Sequence, residues 1–99
     1  MKIREIWLEG KPKTVRTVAD DYVMVLEDET ILADTTAKSV TITMLSGANT
    51  KGREFQFSKI SGDAHTATIH AASGETLPDG TDNVVLSLQG DAVVIKGVQ

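Results

Sequence analysis

Four places in the 99-residue sequence carry residue types used elsewhere for chemistry, and the spacing at each decides what it can do. Gly47-Ala48-Asn49-Thr50-Lys51-Gly52-Arg53-Glu54 has two glycines at the separation found in a phosphate-binding loop. Such a loop ends in lysine followed by serine or threonine and opens a helix whose amino terminus faces the anion. Arg53-Glu54 stands in that position and β-favouring residues follow, so the stretch reads as a turn between strands. His65 and His70 are the two histidines. On or beside one strand their odd spacing sends the rings to opposite faces, which does not suit shared ligation of a metal. His70 is out of phase with Ala67 and Ile69 and faces solvent or a neighbouring subunit.

Asp79-Gly80-Thr81-Asp82-Asn83 offers oxygen ligands, but only Asp79, Asp82 and Asn83 have suitable side chains, and the spacing is not that of the EF-hand loop. Turn chemistry accounts for it. Glu27-Asp28-Glu29 supplies carboxylates with no pattern placing a second acid opposite them, and reads as a solvated turn. The chain has no cysteine, which removes thiolate chemistry and disulfides and fits folding in a reducing cytoplasm. No catalytic residue, metal site or cofactor is expected, and the reading is of a protein that is not an enzyme.

Trp7 points elsewhere. It lies with Ile3, Ile6 and Leu8 in an amino-terminal segment where it either packs on its own core or anchors an interface, since tryptophan and arginine are over-represented among the energetic centres of interfaces. Residues 1–18 hold five basic against two acidic side chains, and residues 19–99 hold five against twelve, within a net charge of −4. A cationic arm therefore leads into an acidic body, which argues against nucleic-acid binding and leaves the arm able to dock on an acidic partner. The arm mixes charges into its apolar positions, unlike a secretory signal, and runs such as Val93-Val94-Ile95 fall far short of a membrane span.

The elements that must position these residues read as strands. Thr14–Val18 favours β structure, and Tyr22-Val23-Met24-Val25-Leu26 is apolar throughout, as in a strand covered on both faces or lying at a subunit contact. Thr30–Asp34 looks like its hairpin partner. Val40, Ile42 and Met44 alternate with Ser39, Thr41 and Thr43, and Ala67, Ile69 and Ala71 alternate in the same way. Phe55 and Phe57 share one face of a strand between glycine turns, and their burial contributes roughly 1.5–3 kcal/mol each. Ile60 falls out of phase with them, to be brought inward by a bulge or accommodated by a strand covered on both faces. Leu77 anchors an irregular loop, Val84, Leu86 and Leu88 alternate, and Ala92–Ile95 closes the chain. The expected fold is all-β: a compact antiparallel sandwich or jelly-roll-like barrel of about seven to nine short strands. The arm, residues 1–13, precedes a single β domain over residues 14–99.

Residues 22–96 resemble a threonine- and valine-rich β-module of tailed-bacteriophage virion proteins, found in tail-fibre, head-fibre and decoration-type proteins. The shared elements are Asp28-Glu29-Thr30-Ile31-Leu32, Ser39-Val40-Thr41-Ile42-Thr43, Lys51-Gly52-Arg53-Glu54-Phe55, Lys59-Ile60-Ser61-Gly62, Gly74-Glu75-Thr76-Leu77-Pro78-Asp79-Gly80 and Gln89-Gly90-Asp91-Ala92-Val93. Two departures stand out. Leu45-Ser46 replaces the proline common after the Val40–Met44 strand, and the chain ends Lys96-Gly97-Val98-Gln99 where the module commonly continues to an Asp-Gly turn and a tryptophan.

The resemblance implies a capsid decoration (capsid-stabilising) protein or short head fibre on the virion surface, made in the host bacterial cytoplasm. A tail-fibre or tail-tip module binding a receptor or carbohydrate is the alternative. It implies a homotrimer whose partner is the major capsid protein or, in the alternative, tail proteins, with no nucleic acid and no membrane. Ile3, Arg4, Ile6, Trp7, Leu8, Lys11 and Lys13 are then the candidate capsid-docking residues, and Tyr22, Val23, Met24, Val25 and Leu26 the candidate subunit interface.

Overall fold

A computed structural model describes residues 15–77 and 80–97. Within them lie eight strands: β1 (Val15–Val18), β2 (Tyr22–Val23), β3 (Thr30–Ala33), β4 (Val40–Thr43), β5 (Glu54–Lys59), β6 (Ala67–His70), β7 (Asn83–Leu86) and β8 (Ala92–Lys96). A single 3-10 turn at Gly47–Asn49 interrupts the link between β4 and β5. The strands form where threonine, valine and isoleucine alternate, because branched side chains pack well on a pleated surface.

The strands make two four-stranded sheets, β1-β3-β5-β8 and β2-β4-β6-β7, facing each other as a sandwich. The all-β, two-layer reading of the sequence therefore holds. Its antiparallel pairing does not: β1·β3, β3·β5, β2·β4 and β4·β6 are all parallel. From β1 to β6 the chain alternates between sheets, so each strand of one sheet is the crossover joining two parallel neighbours of the other. Parallel neighbours need a connection of a dozen or so residues, commonly a helix; here a loop, a strand and a second loop supply it. Three coils stack in this way, and a fourth closes the stack in the opposite sense, with β7 antiparallel to β6 and β8 antiparallel to β5.

Tyr22–Leu26 and Thr30–Asp34 are accordingly not a hairpin. β2 ends at Val23, and residues 24–29 carry the chain to the opposite sheet, where β3 joins β1. A hydrogen bond from the Asp28 N–H to the Val25 carbonyl (3.0 Å) tightens that passage.

The core lies between the sheets. Ile31 and Ala33 of β3, Val40 and Ile42 of β4, Phe55 and Phe57 of β5, and Ala67 and Ile69 of β6 point inward, and Leu77 is buried from its loop as expected. Ile60 does not return to the core by a bulge; it follows the end of β5 and is exposed, and the third inward position of that strand belongs to Lys59. Leu88 also departs from the alternation and is exposed. The Asp91 carboxylate accepts from the Ser87 and Leu88 N–H groups (3.1 and 2.9 Å), so the chain turns immediately after Leu86.

Candidate functional site

Arg53, in the loop with phosphate-like glycine spacing, serves as a strut. Its guanidinium donates to the carbonyls of Leu26 (2.7 Å), Asp28 (3.1 Å) and Asn49 (3.2 Å) and lies 4.8 Å over the ring of buried Phe55. It thus ties the β2–β3 passage to the start of β5, and the loop is the expected turn between strands.

Of the acidic run Glu27-Asp28-Glu29 in that passage, Glu27 is an exposed turn residue as expected, but Asp28 is not solvated. Asp28 is fully buried, and its carboxylate accepts from Tyr22 Oη (2.5 Å), the Val25 N–H (2.9 Å) and Arg16 Nε (3.0 Å). The Arg16 guanidinium also lies 5.1 Å over the Tyr22 ring. Burial pushes the Asp28 carboxyl up, but the bonds from Tyr22, Val25 and Arg16 outweigh it and hold it below the ordinary carboxylate range. Burial, and then the bond to Asp28, raises the Tyr22 hydroxyl. Arg16 and Tyr22 come from the first coil and Asp28 from the passage to the second, so these groups bind the two coils together.

A second polar cluster lies on the opposite edge of the sandwich and holds one of the chemical candidates of the sequence, His65. Lys59, fully buried, donates from Nζ to the Ser61 carbonyl (2.5 Å), the Asp63 carbonyl (3.3 Å) and Asp63 Oδ1 (3.4 Å). Asp63 Oδ1 also accepts from Thr35 Oγ1 (2.8 Å) and the His65 N–H (3.0 Å), and the Thr35 N–H donates to Ser61 Oγ (2.9 Å). The Ser61 hydroxyl, then Thr35, the His65 amide and Lys59 hold the Asp63 carboxyl far below the usual carboxylate range, against the effect of desolvation. The cluster fastens the β3–β4 loop to the β5–β6 loop. Its sequence signal was phase alone, since Phe55, Phe57 and Lys59 occupy alternate positions.

The histidines separate as their spacing requires. His65 Nδ1 is 2.7 Å from the Thr35 carbonyl in that edge cluster, while His70 is exposed on the outer face of β6 with Nδ1 2.8 Å from the Ala71 carbonyl. Among the described residues no three histidine, aspartate or glutamate side chains converge as a metal site. Asp79 lies outside the described residues, and Asn83 begins β7 on its outer face. No helix of the described chain is long and apolar enough to cross a membrane.

The candidate capsid-docking residues Ile3, Arg4, Ile6, Trp7, Leu8, Lys11 and Lys13 all lie outside the described residues. Of the candidate interface residues, Met24 is buried and Tyr22 half-buried, whereas Val23, Val25 and Leu26 are exposed at 67, 44 and 57 %. Met24 thus has its cover inside the sandwich, and the exposed apolar residues are the two valines with Leu26.

Larger uncharged surfaces lie on the sheets themselves. Outward positions of the first sheet form two cross-strand rows, Val15-Thr30-Gln56-Val94 and Thr17-Leu32-Ser58-Ala92. Those of the second are Val23-Thr43-His70-Asn83 and Thr41-Thr68-Val85. None of these residues is aspartate, glutamate, lysine or arginine, and the Glu54–Lys96 ion pair (3.6 Å) marks the margin of the first face. The acidic residues occupy the connecting edges, with Asp20, Asp21, Asp34, Asp63 and Asp91 along one and Glu27, Asp28, Glu29, Glu75 and Asp82 along the other. A cleft of about 610 Å³ opens on the second edge, lined by Met44, Phe55, Leu77, Ile95, Glu75 and Lys96 among others. Comparison of the chain with family models, with curated proteins and with solved structures gave no match.

Proposed function

We propose that the chain is a structural protein of a tailed-bacteriophage virion, a capsid decoration protein or short head fibre without catalytic activity. In this reading it assembles as a homotrimer on the capsid exterior and contacts the major capsid protein through the arm, residues 1–13. The observation that carries it is how the motif residues of the resemblance are used. Asp28, Arg53, Lys59, Ser61, Gln89 and Asp91 each hold one turn of the stack to another or close a turn outright. Polar groups committed to such hydrogen bonds stiffen a scaffold. The basic arm beside a domain with acidic edges adds a charged docking element to that scaffold.

Copy number per particle tests the reading. Quantitative mass spectrometry of purified virions is expected to find hundreds of copies, whereas a few copies would assign the chain to the tail, where a receptor- or carbohydrate-binding module is the second reading. Deleting residues 1–10 is expected to abolish occupancy on particles, and undiminished occupancy would overturn the docking role of the arm.

A further inference from the structure

We propose that the amino-terminal arm folds back along the second edge of its own domain and seats Trp7 in the cleft there. The cleft has an apolar floor of Met44, Phe55, Ala71, Leu77 and Ile95, and the exposed Glu75 stands in its wall. Its volume of about 610 Å³ is that of sites that take a small-molecule ligand, ample for an indole ring. Tryptophan suits such a seat because its ring brings a large apolar area and its N–H can still find an acceptor at the rim.

The place where the arm joins the domain selects it as the occupant. Val15 opens β1 at the second edge, in one cross-strand row with Thr30, Gln56 and Val94. Phe55 and Ile95, which line the cleft, lie one residue nearer that edge on β5 and β8. β1 and β5 are two strand spacings apart, roughly 10 Å. The eight residues from Trp7 to Val15 extend to about 26 Å, so the indole reaches the cleft without strain on the chain. Both edges are acidic, so the point of entry, not charge, decides between them. A tether this short holds its end at an effective concentration in the millimolar range, and a free molecule of equal affinity, the arm of a second copy included, competes only near that concentration.

The order of residue types along the arm follows the same path. Lys11 and Lys13 fall between Trp7 and β1. Beside the entry of β1 stand Glu27, exposed, and Glu29, half-buried, the latter directly before Thr30, the partner of Val15. The two lysines therefore cross an acidic passage, and Ile6, Trp7 and Leu8 arrive where the surface turns apolar. The seat is a property of the isolated chain and does not rest on a capsid partner. Docking of the arm on a capsid would begin with the release of Trp7 from the cleft.

Trp7 is the single tryptophan of the chain, so its fluorescence reads the seat directly. In the full-length chain its emission is expected to be blue-shifted, and its quenching by acrylamide several-fold weaker, relative to the same chain unfolded in urea. Both are expected to hold between about 1 and 100 μM protein, far below the effective concentration of the tether. Thr76→Arg, at an exposed position lining the cleft, is expected to shift the emission to the red and restore most of the quenching with an unchanged circular dichroism spectrum. Thr41→Arg, exposed on the outer face of the second sheet, is expected to do neither. Trp7→Ser in the full-length chain is expected to bind the dye anilinonaphthalene sulfonate several-fold more strongly than the parent, as the apolar floor is uncovered. Emission and quenching equal to those of the unfolded chain, protection that Thr76→Arg leaves intact, protection lost on dilution, or dye binding unaltered by Trp7→Ser would each overturn the inference. Occupancy on particles tests the capsid reading separately, and either can fail alone.

Discussion

At the scale of residues, stability depends on a few polar side chains placed where an apolar one would ordinarily stand. Lys59 occupies the third inward position of β5, after two phenylalanines, and its ammonium is satisfied by two carbonyls and a carboxylate. Lys59→Met keeps the volume but leaves the Ser61 carbonyl without its donor, and is expected to lower unfolding free energy by about 1–3 kcal/mol in urea melts. Lys51→Met, at an exposed turn residue, is expected to stay within about 0.5 kcal/mol of the parent. An equal effect of the two substitutions would remove the bracing role of Lys59. Its inward phase was legible in the sequence, but its burial was not, because it depends on Ser61 and Asp63 folding back over it in a loop that Thr35 and the His65 amide hold in place. Asp28 was less legible still: within a run of three acids it reads as solvated until Arg16 and Tyr22 are brought over it.

At the scale of elements, two close approaches fix the reversed fourth coil. Asp91 closes the turn between β7 and β8, with Gly90 at φ 90°, a conformation that favours glycine. Asp91→Ala removes two hydrogen bonds from an exposed turn and is expected to cost about 1 kcal/mol, read as a lower melting temperature with the sheet spectrum retained. Gly97 is the stronger constraint. Its N–H donates to the Arg53 carbonyl and its own carbonyl accepts from Gly52, and a Cβ added there would lie 1.8 Å from the Thr50 carbonyl oxygen. Gly97→Ala must therefore displace the end of β8 or the loop before β5, and is expected to destabilise by about 1–3 kcal/mol. A variant as stable as the parent would show that the contact yields freely. Strand existence followed from alternation, but strand direction did not, because alternation records which face a residue takes and is the same for parallel and antiparallel neighbours.

At the scale of the whole molecule, carboxylates held below their ordinary range set the response to acid. Asp28 and Asp63 are both lowered, Asp28 by hydrogen bonds that outweigh its burial and Asp63 first by Ser61. As pH falls, the unfolded chain takes up protons near the usual carboxylate value of about 4 while the folded chain still resists them. The stability these groups confer is thus fully present above that value and lost as pH drops through the folded-state values. Melting temperature is expected to be level from about pH 8 to pH 5 and to fall steeply below pH 4, with the slope reduced in Asp28→Asn. A flat profile down to about pH 2 would contradict the assignment.

The sequence by itself determined the class, most of the strand positions and the inward residues, since period-two alternation of branched and polar side chains has one burial solution in a sheet. It also determined that the glycine-rich loop is a turn, from the arginine and glutamate that follow it. Tertiary structure alone decided that successive strands fall in opposite sheets, which makes neighbours parallel and turns each loop into a rung-to-rung connection. It decided that Asp28 and Lys59 are buried, because Arg16 and Tyr22 of another coil satisfy Asp28 and the loop after β5 folds back to satisfy Lys59. And it decided that the uncharged outward positions of four strands form one continuous face, a property that no single strand contains.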